Sequence, residues 1–309
     1  MSWQKFDLLF RVLSPLHIGY LPNKAGTVIA RTRYYVPGKN IWGALTARLT
    51  GKLLQNPAPA DYLNVGSWLK DNFRFSYFYL FDGEKIFLPQ YNEKGGLYFG
   101  DLSLQKFQQR FISSRISTKI SKEGGAEDKT LHEIEFINNQ YVADNDELES
   151  IYLVGSVFFQ KDAKFNNSFQ IESKDAVLSL NGFNLFEVLT LGGELNYGFG
   201  KVAQTKSIGG LTLVPENSYE NSEVEIRLED ESPIIGHLQY NQSVQFKGDI
   251  EILSGRTYPT NKNALPKDSF VRPGKEIEKG QYYFVPGTVV VSKQQNYTLD
   301  SWGRLAISD

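Results

Sequence analysis

The sequence predicts an α+β protein organised around a split β-α-β unit. Three observations carry that reading: β-branched and aromatic runs stop at Pro and Gly turns, one early segment switches to a four-residue apolar repeat, and the elements follow the order strand, helix, strands, strand, short helical run, glycine turn, strand. Helices in such a fold cover one sheet face and leave the other available.

FDLLFRVLS (6–14) alternates in part and ends at Ser14-Pro15, so it reads as a strand leaving the core. TVIARTRYYVPG (27–38) is a second extended stretch, closed by Pro37-Gly38. In NIWGALTARLTGKLLQ (40–55), Ile41, Leu45, Leu49 and Leu53 recur every fourth residue, which predicts an amphipathic helix with Asn40 as N-cap and Arg48 and Lys52 off the apolar stripe. The positive end of that helix would stabilise an anion. DYLNVGSWLKDNF (61–73) predicts a second short helix, and FRFSYFYLFDGEKIFLPQ (73–90) an aromatic strand, an Asp82-Gly83 turn and a partner strand. SKEGGAEDKT (121–130) reads as a mobile polar insert, LHEIEFI (131–137) and SIYLVGSVFFQ (150–160) as strands, and NLFEVLTL (184–191) as a short helical run. After about residue 205 come short β-like pieces, EVEIRL, VQFKGDIEIL and YYFVPGTVVV, separated by Asn, Gly and Pro. The expected organisation is a first domain over 1–205 and a β-rich C-terminal extension or small second domain over 206–309.

A chain of 309 residues, 41% of them hydrophobic, can bury a core without covalent staples. It has no cysteine, which removes disulfides, thiolate metal sites and cysteine nucleophiles and makes a reducing compartment the easier expectation. The apolar stretch near the start is too short and interrupted for a signal peptide, and no run reaches the ~18 apolar residues of a membrane span. A cytoplasmic protein without a membrane partner is expected. The net charge of −2 conceals two basic islands. Between Asp7 and Asp61 no acid occurs, while Arg11, Lys24, Arg31, Arg33, Lys39, Arg48 and Lys52 do; from Leu102 to Lys122, Lys106, Arg110, Arg115, Lys119 and Lys122 occur without a carboxylate. Such islands suit a polyanion, and solvated faces are the bland alternative.

TLGGELNYGFGKV (190–202) sets Gly192, Gly193, Gly198 and Gly200 among Tyr197, Phe199 and Lys201, between two apolar runs. Glycine there permits positive φ and close backbone approach, either to a phosphate or to the neighbouring sheet. The segment does not match G-x-x-x-x-G-K-[ST], so a nucleotide P-loop is not supported. Asp144, Asp146, Glu147 and Glu149 match no calcium loop and read as a solvated turn. His17, His132 and His237 are dispersed and make no transition-metal site. No cofactor is expected.

Three segments, in order, resemble the RAMP superfamily, the RRM-like RNA-binding subunits of CRISPR interference complexes. SPLHIG (14–19) is similar to the family's strand-one motif, YVPGKNIWGALTARL (35–49) to its helix-start segment, and TLGGELNYGFGKV to its glycine-rich loop. RISTKISKEGGAEDKTLHEIEFI (115–137) is a less specific match to a stretch of several type III members; the region after residue 205 has no firm counterpart. The resemblance implies a ferredoxin-like, RRM-like RAMP core with inserted hairpins and a glycine-rich loop at 192–202. It also implies CRISPR RNA and other effector subunits as partners, with target RNA reached through the guide.

Single-stranded RNA would then be contacted by glycine amides, cations and stacking rings. The candidates are His17, Lys24, Arg31, Arg33, Lys39, Asn40, Trp42, Arg110, Arg115, Lys119, Gly192, Gly193, Gly198, Phe199, Gly200 and Lys201. The family's RNA-cutting backbone subunits carry an Asp in the loop after the first strand; YLPNKAGTVIARTR (20–33) has no carboxylate, which argues against target cleavage. The expected function is a non-catalytic CRISPR RNA-binding subunit of a type III effector, with III-D as a candidate subtype. One alternative is a metal-independent precursor-processing endoribonuclease, with His17 near Tyr20, Lys24 and Lys39 assisting attack by a 2′-hydroxyl. The other is a scaffold subunit without RNA contact. His132 and His237 read as structural or surface residues.

Overall fold

Local pattern and long-range pairing divide the work of building this chain. The computed structural model describes residues 2–19, 29–118, 131–166, 169–174, 176–206, 211–214, 223–229, 231–257, 276–277, 279–291 and 296–308. Its main elements are β1 (Trp3–Val12), β2 (Tyr35–Val36), α1 (Gly38–Leu53), α2 (Pro59–Asn72), β3 (Phe73–Phe75), β4 (Phe78–Phe81), α3 (Leu104–Phe111), β5 (Ile112–Ser117), β6 (His132–Ile137), β7 (Tyr152–Gln160), β8 (Val188–Thr190) and β9 (Lys201–Thr205). The main sheet runs β8-β9-β1-β7-β4-β2, with β3 also pairing β7. Taking β1, β3/β4, β7 and β9 as the four strands of the unit, their spatial order is fourth, first, third, second. That is the ferredoxin-like arrangement of a mixed α+β fold.

The period-2 pleat of β1 sorts its side chains between two cores. Leu8, Phe10 and Val12 join Ile41, Leu45 and Leu49 of α1 under the helices. Trp3 and Leu9 point to the opposite face. Gly155 of β7 is required in the middle of the sheet, since a Cβ there would lie 2.6 Å from the Phe78 ring.

Three local expectations are corrected. Helix α1 starts at Gly38, with Pro37 as an N-cap that offers no side-chain hydrogen bond. Asn40 therefore lies within the first turn, its amide donating to Pro37 O at 2.9 Å. NLFEVLTL does not form a helix. Four paired strands, Lys164–Phe165, Phe169–Lys174, Val177–Leu180 and Phe183–Asn184, occupy the second crossover, and Val188–Thr190 pairs with Lys201–Ala203 at the sheet edge. Eight residues gain little as an isolated helix, and pairing with an existing strand overrides that weak propensity. After the Asp82-Gly83 turn, where Asp82 Oδ1 accepts from the amides of Glu84 and Lys85, the partner strand shrinks to a single Phe81–Ile86 bridge. Pro89–Tyr91 pairs instead with Leu97–Phe99.

Helix α3 adds to the elements expected above, and its signals are local. Ser103 accepts from the Lys106 amide as N-cap, and Phe107 and Phe111 are buried one turn apart. It leads into an arm in which β6 lies between β5 and Ile29–Ala30.

The sheet face opposite the helices is not available. Six C-terminal strands make a second sheet, in the order Glu225–Arg227, Asn296–Leu299, Leu305–Ile307, Leu238–Gln239, Gln281–Phe284, Ile250–Leu253. Its core residues Val214, Val224, Ile234 and Phe284 form one apolar cluster with Trp3 and Phe158 of the first sheet. Leu211 packs on Leu9, Phe81 and Val154, and Lys5 Nζ donates to Val214 O at 2.6 Å. Among the described residues, no helix is long and apolar enough to cross a membrane.

Candidate nucleic-acid interface

SPLHIG leaves β1 and runs between two neighbours. On the arm side, Leu16 and Ile137 exchange backbone hydrogen bonds of 2.9 Å each, and His17 Nδ1–H donates to Glu135 O at 2.7 Å. On the loop side, Gly193 N donates to His17 O and Gly200 N to Pro15 O, both at 2.8 Å. The glycines follow from this seating. A Cβ on Gly192 (φ +79°) would stand 2.2 Å from His17 O, and one on Gly200 (φ +88°) 2.1 Å from Leu191 O. The close approach left open by the sequence is thus made, for these two, to the chain's own backbone.

Gly198 (φ +83°) faces open space, at a tip where Leu195 and Tyr197 are exposed, Tyr197 to 68%. Phe199 is 7% exposed and sits edge-on to Phe136 at 5.3 Å, a contact that braces the loop. Lys201 is exposed, its amide bonded to Ser14 Oγ. His17 is also 7% exposed, and its hydrogen bond ties the strand end to the arm.

A groove of about 700 Å³ opens where the start of α1, the glycine loop and the C-terminal region meet. Lys39, Asn40 and Trp42 line it from α1, Gly192 and Leu195 from the loop, and Ser254, Gly255, Trp302 and Arg304 from the C-terminal region. No acidic residue lies in the first turn of α1, whose positive dipole end faces this space. Cations gather at the Trp302 ring, with Lys39 at 4.7 Å and Lys70 and Arg304 each at 4.8 Å from its centroid. Trp42 stands edge-on to Trp302 at 5.9 Å and donates its indole N–H to Gly66 O.

Of the remaining cationic candidates among the described residues, only Arg33 lines this groove. Arg33 reaches the groove floor, but its guanidinium pairs with Glu251 at 2.7 Å and with the Tyr35 hydroxyl at 3.1 Å. Arg31 and Arg115 are exposed on the arm, and Arg110 lies over Tyr141 at 4.7 Å. Arg48 is bridged to Glu187 at 3.0 Å and Lys52 covers Phe183, so the first basic island is dispersed. Lys24, Lys119 and the 121–130 insert lie outside the described residues. Sequence reasoning missed Lys70, Ser254, Gly255, Trp302 and Arg304, which belong to no motif; the Trp302-Gly303-Arg304 turn was the one available signal.

Under the groove lies a buried polar chain. Tyr77 donates its hydroxyl to His237 Nδ1 at 2.5 Å, His237 Nε2–H donates to Glu251, and Glu251 holds Arg33. Burial alone would raise the Glu251 carboxyl, but the hydrogen bond from His237 and the Arg33 charge outweigh it and hold the group at about 2. Burial lowers His237 below its ordinary value of 6.5. Both shifts make the unfolded chain bind more protons than the native one, so their contribution is complete near neutrality. It is lost first as pH falls below 6.5, through His237, and then between 4.5 and about 2, through Glu251. Thermal melts are expected to show stability falling from pH 7 to pH 5, with a flatter profile for His237→Gln, which keeps a donor to Glu251 but cannot titrate. Identical profiles for the two proteins would refute this role.

A ferredoxin-like sheet, a glycine-rich loop seated on the end of its first strand and a groove at the start of the first helix define an RRM-like module. The chain belongs to the RAMP superfamily, whose pattern it matches over residues 9–203. Similar solved structures include the Type III-B Cmr-beta complex bound to cognate target RNA, at 13% identity and TM-score 0.46 over 92% of this chain and 86% of that one. The same complex with cognate target RNA and AMPPnP, state 1, gives 12% identity and TM-score 0.47 over 92% and 85%. Its apo state gives 9% and 0.39 over 65% and 96%. No curated protein matches significantly.

Proposed function

We propose that this chain is a CRISPR RNA-binding subunit of a type III effector complex, holding single-stranded guide RNA in the groove at the start of α1 without cutting the target itself. The observation that carries the reading is the groove in a RAMP-family chain: a helix's positive end, Lys39 and a partly exposed Trp42 beside a glycine-rich loop. Cationic grooves with aromatic side chains are how proteins hold unpaired strands, the charges tracking the backbone and the rings accepting any base. The carboxylate-free segment 20–33 supports the absence of target cleavage. Arg31 and Arg115 would add contacts along the arm, and target RNA would be met through base pairing with the guide. The nuclease alternative is disfavoured by the burial of His17 and its bond to a backbone carbonyl.

Lys39→Glu is the direct test, because Arg33 cannot be changed without breaking a buried pair. Purified with its partners, the variant is expected to retain about tenfold less RNA at moderate salt, as for loss of one charged contact. Unchanged retention would overturn the assignment of the groove.

A further inference from the structure

We infer that the C-terminal region is the second wall of the RNA groove: single-stranded RNA is held between α1 and the segments Leu253–Gly255 and Trp302–Arg304. This rests on the reading of the groove as an RNA site, and it gives the region after residue 205 a part in binding.

The covered sheet face is the first reason. The surface that an RRM-like module offers to unpaired bases lies here under Leu211, Leu213 and Val214, so a strand of RNA has no access to it. The second reason is that the outer wall is built in place. A Cβ on Gly38 would lie 2.6 Å from Trp302 O, and one on Gly303 (φ +81°) 2.5 Å from Phe75 O. Glycines on both sides let the two backbones touch where the groove begins. Below them, the Arg33–Glu251 pair and a hydrogen bond from the Tyr79 hydroxyl to Ile235 O (2.8 Å) join the same two parts of the chain. A wall fixed before binding spares the ligand the entropy of ordering it.

The third reason is chemical. The cations at Trp302 come from three separate elements, Lys39 from α1, Lys70 from α2 and Arg304 from the C-terminal region. Arg304 is oriented by Asp300 at 2.6 Å and by the Tyr283 hydroxyl at 3.2 Å, which fixes its planar fork at the groove's edge. A volume of about 700 Å³ is that of a ligand cleft (~300–1,000 Å³) rather than of a flat surface. A sugar-phosphate segment with its base in the groove matches these groups.

Gly255 allows a test that leaves charge alone. A Cβ there enters open space, with Lys39 Nζ its nearest neighbour at 3.6 Å. Gly255→Leu should fill the groove from the outer wall, and Gly255→Ala should not. The assay is the affinity of the complex for a single-stranded RNA of CRISPR-repeat sequence, with melting temperatures checked for each variant. A loss of about tenfold for Gly255→Leu, with Gly255→Ala within about twofold of the unmodified chain, is the expected result. If Lys39→Glu weakens binding and a folded Gly255→Leu does not, RNA lies on the core wall alone and the inference fails while the proposed function stands. If neither weakens it, both fail. Should Gly255→Leu not fold, the unmodified chain decides: RNA between the walls shields the partly exposed Trp302, which lines the groove, from hydroxyl-radical oxidation, and equal Trp302 oxidation with and without RNA contradicts the inference.

Discussion

Gly200→Ala is expected to destabilise the protein by about 3–5 kcal/mol, combining the cost of a left-handed backbone at a residue with Cβ and of forced overpacking. The new methyl would begin 2.1 Å from Leu191 O, and Leu191 is held beside Gly200 by its own amide, which donates to Gly200 O at 2.8 Å. Gly192→Ala meets His17 O at 2.2 Å and should behave alike. For a chain of this size the melting temperature should fall by roughly 10 °C. Gly198→Ala is the control: it shares a positive φ but has an open surround, so it should cost only about 1 kcal/mol. Equal melting temperatures for the three variants would show that the loop is not seated on SPLHIG.

Glu251→Ala should have an effect of similar size by a different route. It strands the Arg33 guanidinium and the His237 Nε2–H, both buried between the two sheets. Removing one partner of a buried pair costs about 3–5 kcal/mol, because the charge left behind has neither water nor a counter-ion. Replacing both members, Arg33→Met with Glu251→Leu, should be milder than either single change, since no orphan charge remains. Glu187→Ala breaks the exposed bridge to Arg48 and should cost less than about 1 kcal/mol. Denaturant titrations separate these cases, and protease sensitivity of the C-terminal region should rise in Glu251→Ala alone. Equal stability of the Glu251 and Glu187 variants would remove the buried chain as a fastening.

The elements that were legible in the sequence are those whose signal is local. The apolar repeat of Ile41, Leu45 and Leu49 gives α1, and the apolar runs of β1 and β7 give the two central strands. The positions misread are those decided at long range. Val188–Thr190 becomes a strand because Lys201–Ala203 is there to pair with it, and position 38 at the start of α1 must be glycine because that backbone passes Trp302 and Phe75. Half of the candidate site was legible for the same reason. Lys39, Asn40, Trp42 and the glycines lie in motifs, whereas Trp302 and Arg304 reach the groove only through the packing of a region with no motif of its own. Charge proximity along the chain did not show pairing, since Arg33 meets the largely buried Glu251 and Arg48 the exposed Glu187.

The most direct measurement is ultraviolet cross-linking of the complex purified with its own RNA, followed by mass spectrometry of the RNA-linked peptides. RNA held in the groove should mark both walls, at Trp42 in α1 and at Trp302 in the C-terminal region, which line the same space. RNA-linked peptides found elsewhere on the chain, with both of these unmarked, would contradict it.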